Sequence, residues 1–270
     1  GINWTIFNNE NSDLPNNSIR SLIENSNGDI LVGTYGGGLA KFDGTSSTGW
    51  TIYNEENSDL PRNLILSVIE NNENNIFIGT TDGVAKFDGT NWMNYNEDNT
   101  LLPNNTTNIL LEDANGNIFV GTSGTNLYRL DEGAGINWTI LSTANSDLPQ
   151  GHFNSLLQNT NGNIFASLSG TGLYKFDGVS STGWTLFNKN NSDLPSNNIY
   201  SLLESSNGDI FVNTALGLAK FDGTSSTGWT IYNTSNSDLP LNNVRVSLES
   251  SNGDIFVGTW GGLAKFDGTS

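Results

Sequence analysis

Five side chains of this chain are suited to holding an anionic, ring-shaped ligand: Arg20, Tyr35, Tyr200, Arg245 and Trp260. A guanidinium group can pair with a carboxylate or sulfate through two parallel hydrogen bonds. An aromatic face offers a flat apolar surface on which a sugar ring can stack. These residues would therefore form a recognition site for a glycan or a protein partner. The alternative is drift among nearly identical sequence copies, with Trp260 packing over the glycines that follow it.

The five candidates occupy positions at which six copies of one repeat differ. The fifth residue after the repeat proline is, in chain order, Arg20, Leu66, Asn108, Asn154, Tyr200 and Arg245. The residue that opens the turn between the second and third strands is, in the same order, Tyr35, Thr81, Ser123, Ser169, Ala215 and Trp260. A third departure is Ser247, where the other copies have Leu or Val.

The sequence has few of the residues from which common catalytic and metal-binding sites are built. The chain has one histidine, His152, and no cysteine, which leaves little for a Ser-His-Asp triad or a zinc site. No nucleophile elbow, Walker loop or dinucleotide fingerprint occurs. A polysaccharide lyase or glycosidase needs a base or paired carboxylates aimed at one bond, and no carboxylate pair stands outside the repeat. We predict no catalytic residue, no metal and no cofactor, and keep such an enzyme as the alternative.

Three repeated polar features are predicted to be structural. The Asn-Gly turns, such as residues 26–29, lack the alternating oxygen ligands and the distal Glu of a calcium loop. Each lysine of a Lys-Phe-Asp triplet is expected beside that aspartate, because alternate strand residues share a face. A carboxylate recurring before Leu-Pro is expected to form a local Asx-type turn. Its copies are Asp13, Asp59, Asp147, Asp193 and Asp238, with Leu101 in the third repeat.

The charge balance narrows the choice of partner. Ten basic residues face 28 acidic ones, giving a net charge of -18, which argues against nucleic acid. No apolar run approaches the roughly 18 residues that a membrane-spanning helix needs, so no membrane insertion is predicted for this segment. The acidic, Asn-rich and Gly-rich composition favours an extracytoplasmic location, periplasmic or secreted. The sequence does not determine the oligomeric state.

The chain is one unit written six times. Its repeat tryptophans are Trp4, Trp50, Trp92, Trp138, Trp184 and Trp229. Its six prolines are Pro15, Pro61, Pro103, Pro149, Pro195 and Pro240, each eleven residues after a repeat tryptophan. A fixed period in the forties is typical of repeat architectures built from one supersecondary unit.

Each repeat predicts four short antiparallel strands, A to D. In the first repeat, strand A covers about residues 17–24, strand B 30–34, strand C 39–43 and strand D 50–54. Turn residues separate them at intervals of about ten residues, which indicates a meander. Strand A is nearly continuously apolar, so we expect it to be buried on both faces.

These units predict an all-β fold, a closed six-bladed β-propeller formed by residues 1–270 as a single domain. The last repeat reaches residue 270 before its Trp strand, and residues 1–8 supply a Trp strand without preceding partners. The N-terminal strand would therefore complete the last blade, which buries the two apolar ends of the array. Closure would bring Arg20, Tyr35, Arg245 and Trp260 into one sector, with Tyr200 one blade away.

The repeat line L-P-x-N-x-I-x-S-L-x-E-x-x-N-G-D-I-x-V-G-T-x-G-G-L-A-K-F-D resembles the two-component regulator propeller repeat, and copies of it cover the whole chain. In that family such propellers often form the periplasmic sensor part of hybrid histidine kinases of carbohydrate-using bacteria, and they also occur in secreted proteins. The resemblance implies a non-catalytic recognition or sensing module that binds a glycan or protein. A scaffold that only displays or spaces something is the further alternative.

Overall fold

A computed structural model describes residues 5–45, 48–102, 106–123, 126–133, 136–142, 144–177, 183–223 and 227–266. These residues form strands, turns and loops, and no helix occurs among them. Within this part of the chain there is accordingly no helix of the length and apolarity that crossing a membrane requires. The chain divides into two compact units, residues 1–140 and 141–270.

The first unit carries three four-stranded sheets, which we call blades one to three. The strands of each blade are neighbours in chain order, so each blade is an antiparallel meander of strands A, B, C and D. Apart from Leu141 at the end of the last strand, all of them lie in this unit. The strands of blade one are β1 (Ile19–Glu24), β2 (Ile30–Thr34), β3 (Leu39–Phe42) and β4 (Trp50–Tyr53); those of blade two are β5 (Ile65–Glu70), β6 (Ile76–Thr80), β7 (Gly83–Phe87) and β8 (Trp92–Tyr95); those of blade three are β9 (Thr107–Glu112), β10 (Ile118–Thr122), β11 (Leu127–Asp131) and β12 (Asn137–Leu141).

The second unit carries blades four to six. Blades four and five have four strands each, whereas blade six has three among the described residues. The predicted N-terminal Trp strand, residues 1–8, lies partly outside the described residues, since residues 1–4 do. The strands of blade four are β13 (Phe153–Gln158), β14 (Ile164–Leu168), β15 (Gly172–Phe176) and β16 (Trp184–Phe187); those of blade five are β17 (Ile199–Glu204), β18 (Ile210–Thr214), β19 (Gly217–Phe221) and β20 (Trp229–Tyr232); those of blade six are β21 (Val244–Glu249), β22 (Ile255–Thr259) and β23 (Gly262–Phe266).

The turn between strands A and B follows from its local sequence. In blade one, the Asn25 N–H donates to Asp29 O over 2.9 Å, and Asn25 Oδ1 accepts from the Asp29 N–H at 2.8 Å. Gly28 has a φ of 82°, a conformation that costs glycine little. Asn74 takes this position in blade two with a φ of 63°, which asparagine tolerates. The prediction of a hairpin turn is confirmed.

The hydrophobic core of each unit lies between neighbouring blades. Strand B is fully buried in blades two to five. The repeat tryptophan stacks on the phenylalanine of strand C, with ring centroids 4.3 Å apart for Phe221 and Trp229. The aromatic residue ending strand D of the preceding blade, Phe187, lies 5.0 Å from Phe221. The constant tryptophan is therefore a packing residue that joins two blades.

The expected burial of strand A on both faces is wrong for the first and last blades. Leu22 of β1 is 64% exposed and Leu248 of β21 is 64% exposed, whereas Val68 of β5 is 3% exposed. In blade one, Ser21 Oγ accepts from the Val68 N–H of blade two at 3.0 Å. Leu22 points to the opposite face of the strand, which no other blade of this unit covers. Inner strands such as β5 have a neighbouring blade on each side.

In the Lys-Phe-Asp triplet of blade one, the salt bridge of the lysine is to an aspartate outside the triplet. Lys41 Nζ lies 3.1 Å from Asp29 Oδ2, an aspartate of the A–B turn. Asp43, two residues after Lys41, instead accepts a hydrogen bond from the Thr45 N–H, which with the Thr45 hydroxyl lowers the pKa of Asp43. The turn aspartate sits opposite strand C across the sheet and so reaches the ammonium group directly. The same pair forms in blades five and six between Lys220 and Asp209, at 2.9 Å, and between Lys265 and Asp254, at 2.7 Å.

Where the turn lacks this aspartate, the lysine reaches the next blade. Blade two has Asn75 in place of the aspartate, and Lys86 Nζ lies 2.8 Å from both oxygens of Glu132 in blade three. The Tyr95 hydroxyl donates to the same carboxylate at 3.1 Å. Burial and the charge of Glu132 raise the pKa of Tyr95, so this hydroxyl stays protonated and the cluster holds blades two and three together.

Candidate functional site

The fifth residue after the repeat proline is a β-bulge residue in all six blades. In blade six, Val244 pairs with Thr259 and Val246 with Gly258, so Arg245 has no partner in the ladder. A bulge breaks the alternation of a strand and redirects the side chain of the extra residue. The unpaired residues are Arg20, Leu66, Asn108, Asn154, Tyr200 and Arg245. The repeat thus presents one redirected side chain per blade, at the position where the copies differ.

In the second unit, three candidate residues form a stack. The Arg245 guanidinium carbon lies 4.0 Å from the centroid of the Tyr200 ring and 4.7 Å from that of the Trp260 ring. Tyr200 comes from β17 of blade five, Arg245 from β21 and Trp260 from the turn after β22. Cation–π attraction of this kind contributes about 0.5–1 kcal/mol at exposed sites. We call these three residues the Arg245 stack.

Local hydrogen bonds hold the outer members of the Arg245 stack. Asn243 Nδ2 donates to the Tyr200 hydroxyl at 3.3 Å. Thr259 Oγ1 accepts from the Gly261 N–H at 3.1 Å and donates to Gly262 O at 2.9 Å, which shapes the turn that carries Trp260. Gly262 has a φ of 140°, where a side chain would be strained. The Trp260 side chain is 73% exposed, so it offers ring surface to solvent.

In the first unit, two candidate residues form a pair. The Arg20 guanidinium carbon lies 4.7 Å from the centroid of the Tyr35 ring. The Tyr35 N–H donates to Ser18 O at 2.9 Å, and Tyr35 forms an isolated β-bridge with Leu64. The N–H groups of Gly36 and Gly38 both donate to Asn63 O, at 3.0 and 2.9 Å. The loop that carries Tyr35 is therefore attached to blade two.

Neither arginine is neutralised by a carboxylate. Among the described residues, no salt bridge involves Arg20 or Arg245, although the chain carries 28 acidic residues. Arg62, by contrast, lies 3.1 Å from Asp82 and 3.7 Å from Glu55. Both guanidinium carbons lie within 4.7 Å of an aromatic ring centroid, and a guanidinium group can stack on such a ring while its N–H groups pair with an oxyanion.

In two other blades the bulge residue has a structural partner. Asn108 Nδ2 donates to Ser123 Oγ of its own blade at 2.8 Å. Asn154 Nδ2 donates to Ile199 O of blade five at 2.8 Å. At these bulges the amide side chain serves packing and hydrogen bonding within the fold, so variation at the position does not by itself indicate a ligand site.

The five predicted site residues thus fall into two groups, Tyr200 with Arg245 and Trp260 in the second unit, and Arg20 with Tyr35 in the first. That the two groups form one sector stays a prediction, as does the binding role of all five residues. Sequence comparison of the repeats singled out Ser247 but missed its buried partner Asn213, which replaces a glycine of strand B. The signal was available, because Gly33, Gly79, Gly121 and Gly258 occupy that position in four other copies.

The repeated aspartates do not form the expected Asx turns. Asn8 Oδ1 accepts from the N–H groups of Glu10 and Asn11, and Asn11 Oδ1 accepts from the Asn8 N–H. Asp13, two residues on, is exposed and takes no part in these bonds. Asparagine forms the loop because its side chain both donates and accepts: Asn11 Nδ2 also binds Ile6 O at 2.9 Å.

The described residues contain no group of three His, Asp or Glu side chains that could hold a metal ion. His152 is exposed, and its backbone oxygen accepts from the Ser169 N–H at 3.0 Å. No carboxylate pair faces either group of candidate residues within salt-bridge distance of its arginine in the described part of the chain. The geometry offers stacking surface and guanidinium donors and suits recognition of a ligand.

Solved structures share this fold at low sequence identity. The extracellular domain described for the hybrid two-component system BT3049 of B. thetaiotaomicron matches with a TM-score of 0.78 and 22% identity, over 94% of this chain and 34% of that one. PorZ, a surface component of the type-IX secretion system of Porphyromonas gingivalis, matches with a TM-score of 0.72 and 14% identity, over 92% and 38% of the two chains. The chain thus spans about a third of the length of these proteins.

An enzyme also shares the fold. A catalytically inactive virginiamycin B lyase of Staphylococcus aureus, solved with quinupristin, matches with a TM-score of 0.70 and 9% identity, over 95% of this chain and 86% of that one. Identities this low show a common fold and leave the function of this chain open. No curated protein matches the sequence.

A family model gives the repeat its name. The model described as two component regulator propeller matches residues 13–36 and 101–124. Both segments run from the residues before Leu-Pro through strands A and B, in blades one and three. They contain the turn, the bulge and the strand pairing found in every blade. Two segments of the chain, residues 13–36 and 101–124, therefore match the two-component regulator propeller repeat.

Proposed function

We propose that this chain is a non-catalytic recognition or sensing propeller of an extracytoplasmic bacterial protein, and that the Arg245 stack binds an acidic glycan. The observation that carries the proposal is the Arg245 guanidinium. It lies between the rings of Tyr200 and Trp260 and has no carboxylate partner among the described residues. A protein with a net charge of -18 has many carboxylates to offer, so this unpaired cation suits a charge brought by a ligand.

The chemistry of the stack favours an anion carried on a ring. The Arg245 guanidinium carbon lies 4.0 and 4.7 Å from the centroids of two aromatic rings, and its N–H groups match a carboxylate or sulfate through two hydrogen bonds. The Trp260 ring, 73% exposed, offers the flat surface on which a sugar ring stacks. Arginine and tryptophan are also the residues that most often dominate binding energy. A uronic or sulfated sugar combines both requirements.

A sensing role outside the cytoplasm is supported by the relatives of this fold. BT3049 is described as an extracellular domain of a two-component system, and PorZ as a bacterial surface component. The matched family takes its name from two-component regulators. A protein ligand is compatible with the same stack, because its side chains could recognise an acidic peptide by the same contacts.

The enzyme alternative draws on the lyase that shares the fold. Lyases and glycosidases need a base, often His or Tyr, or paired carboxylates at the bond to be broken. The Arg245 stack has no carboxylate or histidine, and its tyrosine hydroxyl, that of Tyr200, accepts a hydrogen bond from Asn243 Nδ2. Incubation with uronic acid polysaccharides, followed by ultraviolet absorbance, should give no product. Turnover that disappears in Arg245→Ala would establish an enzyme in place of a receptor. The remaining alternative, a pure scaffold, predicts that substitutions on every blade are equally silent in binding.

We also propose that the six blades close into one ring through the N-terminal strand. Residues 5–8 continue the sequence pattern of strand D. The Phe7 ring centroid lies 5.0 Å from that of Phe42 and 5.8 Å from that of Trp50. The aromatic residues that end strand D of blades one and four make the same contacts with the following blade. In blade one Ala40 pairs with Ile52 of strand D, which would pair Ala264 with Ile6. The variant Ile6→Cys/Ala264→Cys should then form a disulfide within one chain. Its absence in the folded, oxidised protein would contradict closure.

A glycan array compares wild type, Trp260→Ala/Arg245→Ala and the matched control Arg62→Ala. The control removes one positive charge from an arginine that is already paired with Asp82 and Glu55. We expect wild type and control to bind one class of acidic glycan and the double variant to bind none. Retained binding by the double variant would contradict the site. No binding by wild type would contradict the glycan proposal and favour a protein partner or a scaffold.

A further inference from the structure

A buried polar network between blades five and six lies beneath the Arg245 stack. Asn213 in strand β18 is fully buried, and its Nδ2 donates to Ser201 Oγ and to Ser247 Oγ, both at 2.8 Å. The Ser201 hydroxyl in turn donates to Arg245 O at 3.0 Å. The network therefore runs from Asn213 through Ser201 to the backbone of the bulge residue that presents the guanidinium group.

The equivalent position in the first unit explains why Asn213 is exceptional. A Cβ added at Gly33 would lie 2.6 Å from Ile65 Cγ2 and 3.2 Å from Val68 Cγ2 of the next blade. A side chain at Gly33 would therefore require a shift of Ile65. Blade six has Val244 at the position of Ile65 and Ser247 at that of Val68, so one of the two contacting side chains is smaller there and accepts a hydrogen bond from the asparagine at the glycine position.

The serine of strand A also changes its role between the two junctions. In blade one, Ser21 Oγ accepts a hydrogen bond from the Val68 N–H at 3.0 Å. In blade five the equivalent Ser201 accepts from Asn213 and directs its own proton to Arg245 O. A hydroxyl has one proton to donate, so the asparagine amide favours the orientation in which that proton meets the carbonyl.

The arrangement costs stability, which suggests that it serves the site above it. Asn213 Oδ1 is buried and has no hydrogen-bond partner. An unsatisfied buried acceptor costs about 1–3 kcal/mol, and a glycine–leucine pair like that of other blades would avoid it. Strain or unsatisfied groups retained in this way are typical of functional sites.

We propose that Asn213, with Ser201 and Ser247, is a positioning residue that fixes the backbone of Arg245 and thereby holds its guanidinium group between Tyr200 and Trp260. This inference rests on the proposed function of the Arg245 stack. Arg245 has no partner in the strand ladder, so the A–B pairing leaves its backbone direction less determined than that of Val244 or Val246. The hydrogen bond from Ser201 supplies the missing constraint.

The test is the variant Asn213→Gly/Ser247→Leu, which restores the residues of other blades. Nitrogen-15 NMR of the whole chain reports the Arg245 Nε–H signal, assigned by its loss in Arg245→Lys. In wild type the rings of Tyr200 and Trp260 should shift this signal upfield. We expect the double variant to lose most of that shift while its thermal midpoint is unchanged or higher. A retained shift would overturn the proposal.

Should the double variant fail to fold, Ser201→Ala removes the hydrogen bond to Arg245 O together with the one accepted from Asn213, keeps the Asn213–Ser247 hydrogen bond, and should lose the same shift. Sulfate binding is measured by adding sodium sulfate to the protein and following the chemical shift of the Arg245 Nε–H signal. A titration with sodium chloride at equal ionic strength is the control. We expect roughly tenfold weaker sulfate binding in either variant, as is usual when a residue supporting a binding group is removed. Absence of sulfate binding in wild type would count against the proposed function, whereas the shift comparison decides the positioning role independently.

Discussion

Arg20 and Arg245 occupy the same repeat position and the same bulge, yet their surroundings differ. Arg20 lies over one ring, Tyr35, whose loop is attached to blade two by a β-bridge and two hydrogen bonds to Asn63 O. Arg245 lies between two rings, and the outer one, Trp260, is 73% exposed against 45% for Tyr35.

One difference is that the second ring at Arg245, Tyr200, comes from the preceding blade of the same unit, and a further one lies in the turns that carry Tyr35 and Trp260. The loop after Tyr35 has three glycines, Gly36 to Gly38, where the loop after Trp260 has two, and the longer loop reaches blade two. At the junction between blades one and two, Gly33 packs against Ile65 and Val68, whereas the matching junction between blades five and six carries the Asn213 network. A repeat protein thus gives the same residue different environments by changing its neighbours, while the strand that presents it stays the same.

The largest expected effect is the loss of stability when the polar residues of the Asn213 network are introduced between blades one and two. Gly33→Asn alone should destabilise the protein by about 3 kcal/mol or more, because the side chain collides with Ile65 and buries an unsatisfied amide. Val68→Ser alone should cost about 2 kcal/mol for the lost apolar packing. The double variant should cost about 1 kcal/mol less than the sum, because the hydroxyl introduced by Val68→Ser can accept a hydrogen bond from the new amide, as Ser247 does from Asn213.

Urea denaturation of the two single variants and the double variant measures this coupling. Ser21 is already present in blade one, so the double variant recreates the full set of polar residues found at Ser201, Asn213 and Ser247. Additive losses would show that the two substitutions do not compensate, and would weaken the explanation given for Asn213.

The second largest expected effect is a difference in ligand affinity between variants of Arg245 and variants of Arg20. Arg245→Ala should weaken binding of the acidic glycan by about 2 kcal/mol, the usual cost of removing a central arginine, or roughly 30-fold in Kd. Arg20→Ala should weaken it less, since one ring and an attached loop surround that residue. Calorimetric titration of both variants and of Arg62→Ala gives the ranking. A larger loss of affinity for Arg20→Ala than for Arg245→Ala would contradict the expectation that Arg245 is the more important binding residue.

A smaller effect concerns the tyrosines of the two groups. Tyr200→Phe removes the hydrogen bond from Asn243 Nδ2 and should cost about 1 kcal/mol of stability, since it leaves a buried amide without this partner. Tyr35→Phe is the matched control and should be nearly silent, because Tyr35 contributes its ring and backbone to the contacts described. Thermal unfolding of both variants decides whether Asn243 holds the stack, and equal midpoints would contradict it.

The smallest effect is a pH dependence within the first unit. The Glu112 carboxylate accepts from the Asn72 N–H of blade two, and burial raises the pKa of Glu112. The folded protein then binds this proton more tightly than the unfolded chain does. Stability contributed by the protonated form is present below the unfolded pKa and is lost as pH rises through the folded pKa.

Glu112→Gln removes this titration, and Gln158 is its natural counterpart in blade four. The urea midpoint of the variant should therefore improve relative to wild type as pH is raised from about 4 to about 6 across the carboxylate range. Glu249→Gln provides a comparison in the second unit, where the Ser206 N–H and hydroxyl contact the carboxylate. A difference between Glu112→Gln and wild type that does not vary with pH would contradict the assignment.

Much of the fold was predictable because the repeat states it six times. The Asn-Gly turns and the order of strands A to D follow from residue types and spacing, and the structure confirms them. The partners of Lys41 and the exposure of Leu22 were not predictable in the same way. They depend on which side chains face each other across strands and blades, and sequence spacing along one strand does not contain that information.

The candidate site was likewise predictable from the sequence only in part. Comparison of the copies identified Arg20, Tyr35, Tyr200, Arg245 and Trp260, since departures from a constant repeat are visible in the sequence. It did not reveal that the variable position is a bulge, because a bulge is defined by pairing with another strand. It also missed Asn213, whose meaning depends on Ser247 lying opposite it in the next blade.

The sequence by itself determined the period, the strand and turn pattern, the acidic charge and the identity of the variable residues, because these are local properties of the chain. Only the tertiary structure decided that Arg245 lies between Tyr200 and Trp260 and that Asn213 lies beneath it. The physical reason is that the contacts of Tyr200 with Arg245 and of Asn213 with Ser247 join neighbouring blades, which only packing between blades brings together, while those of Arg245 with Trp260 and of Asn213 with Ser201 depend on strand pairing within a blade.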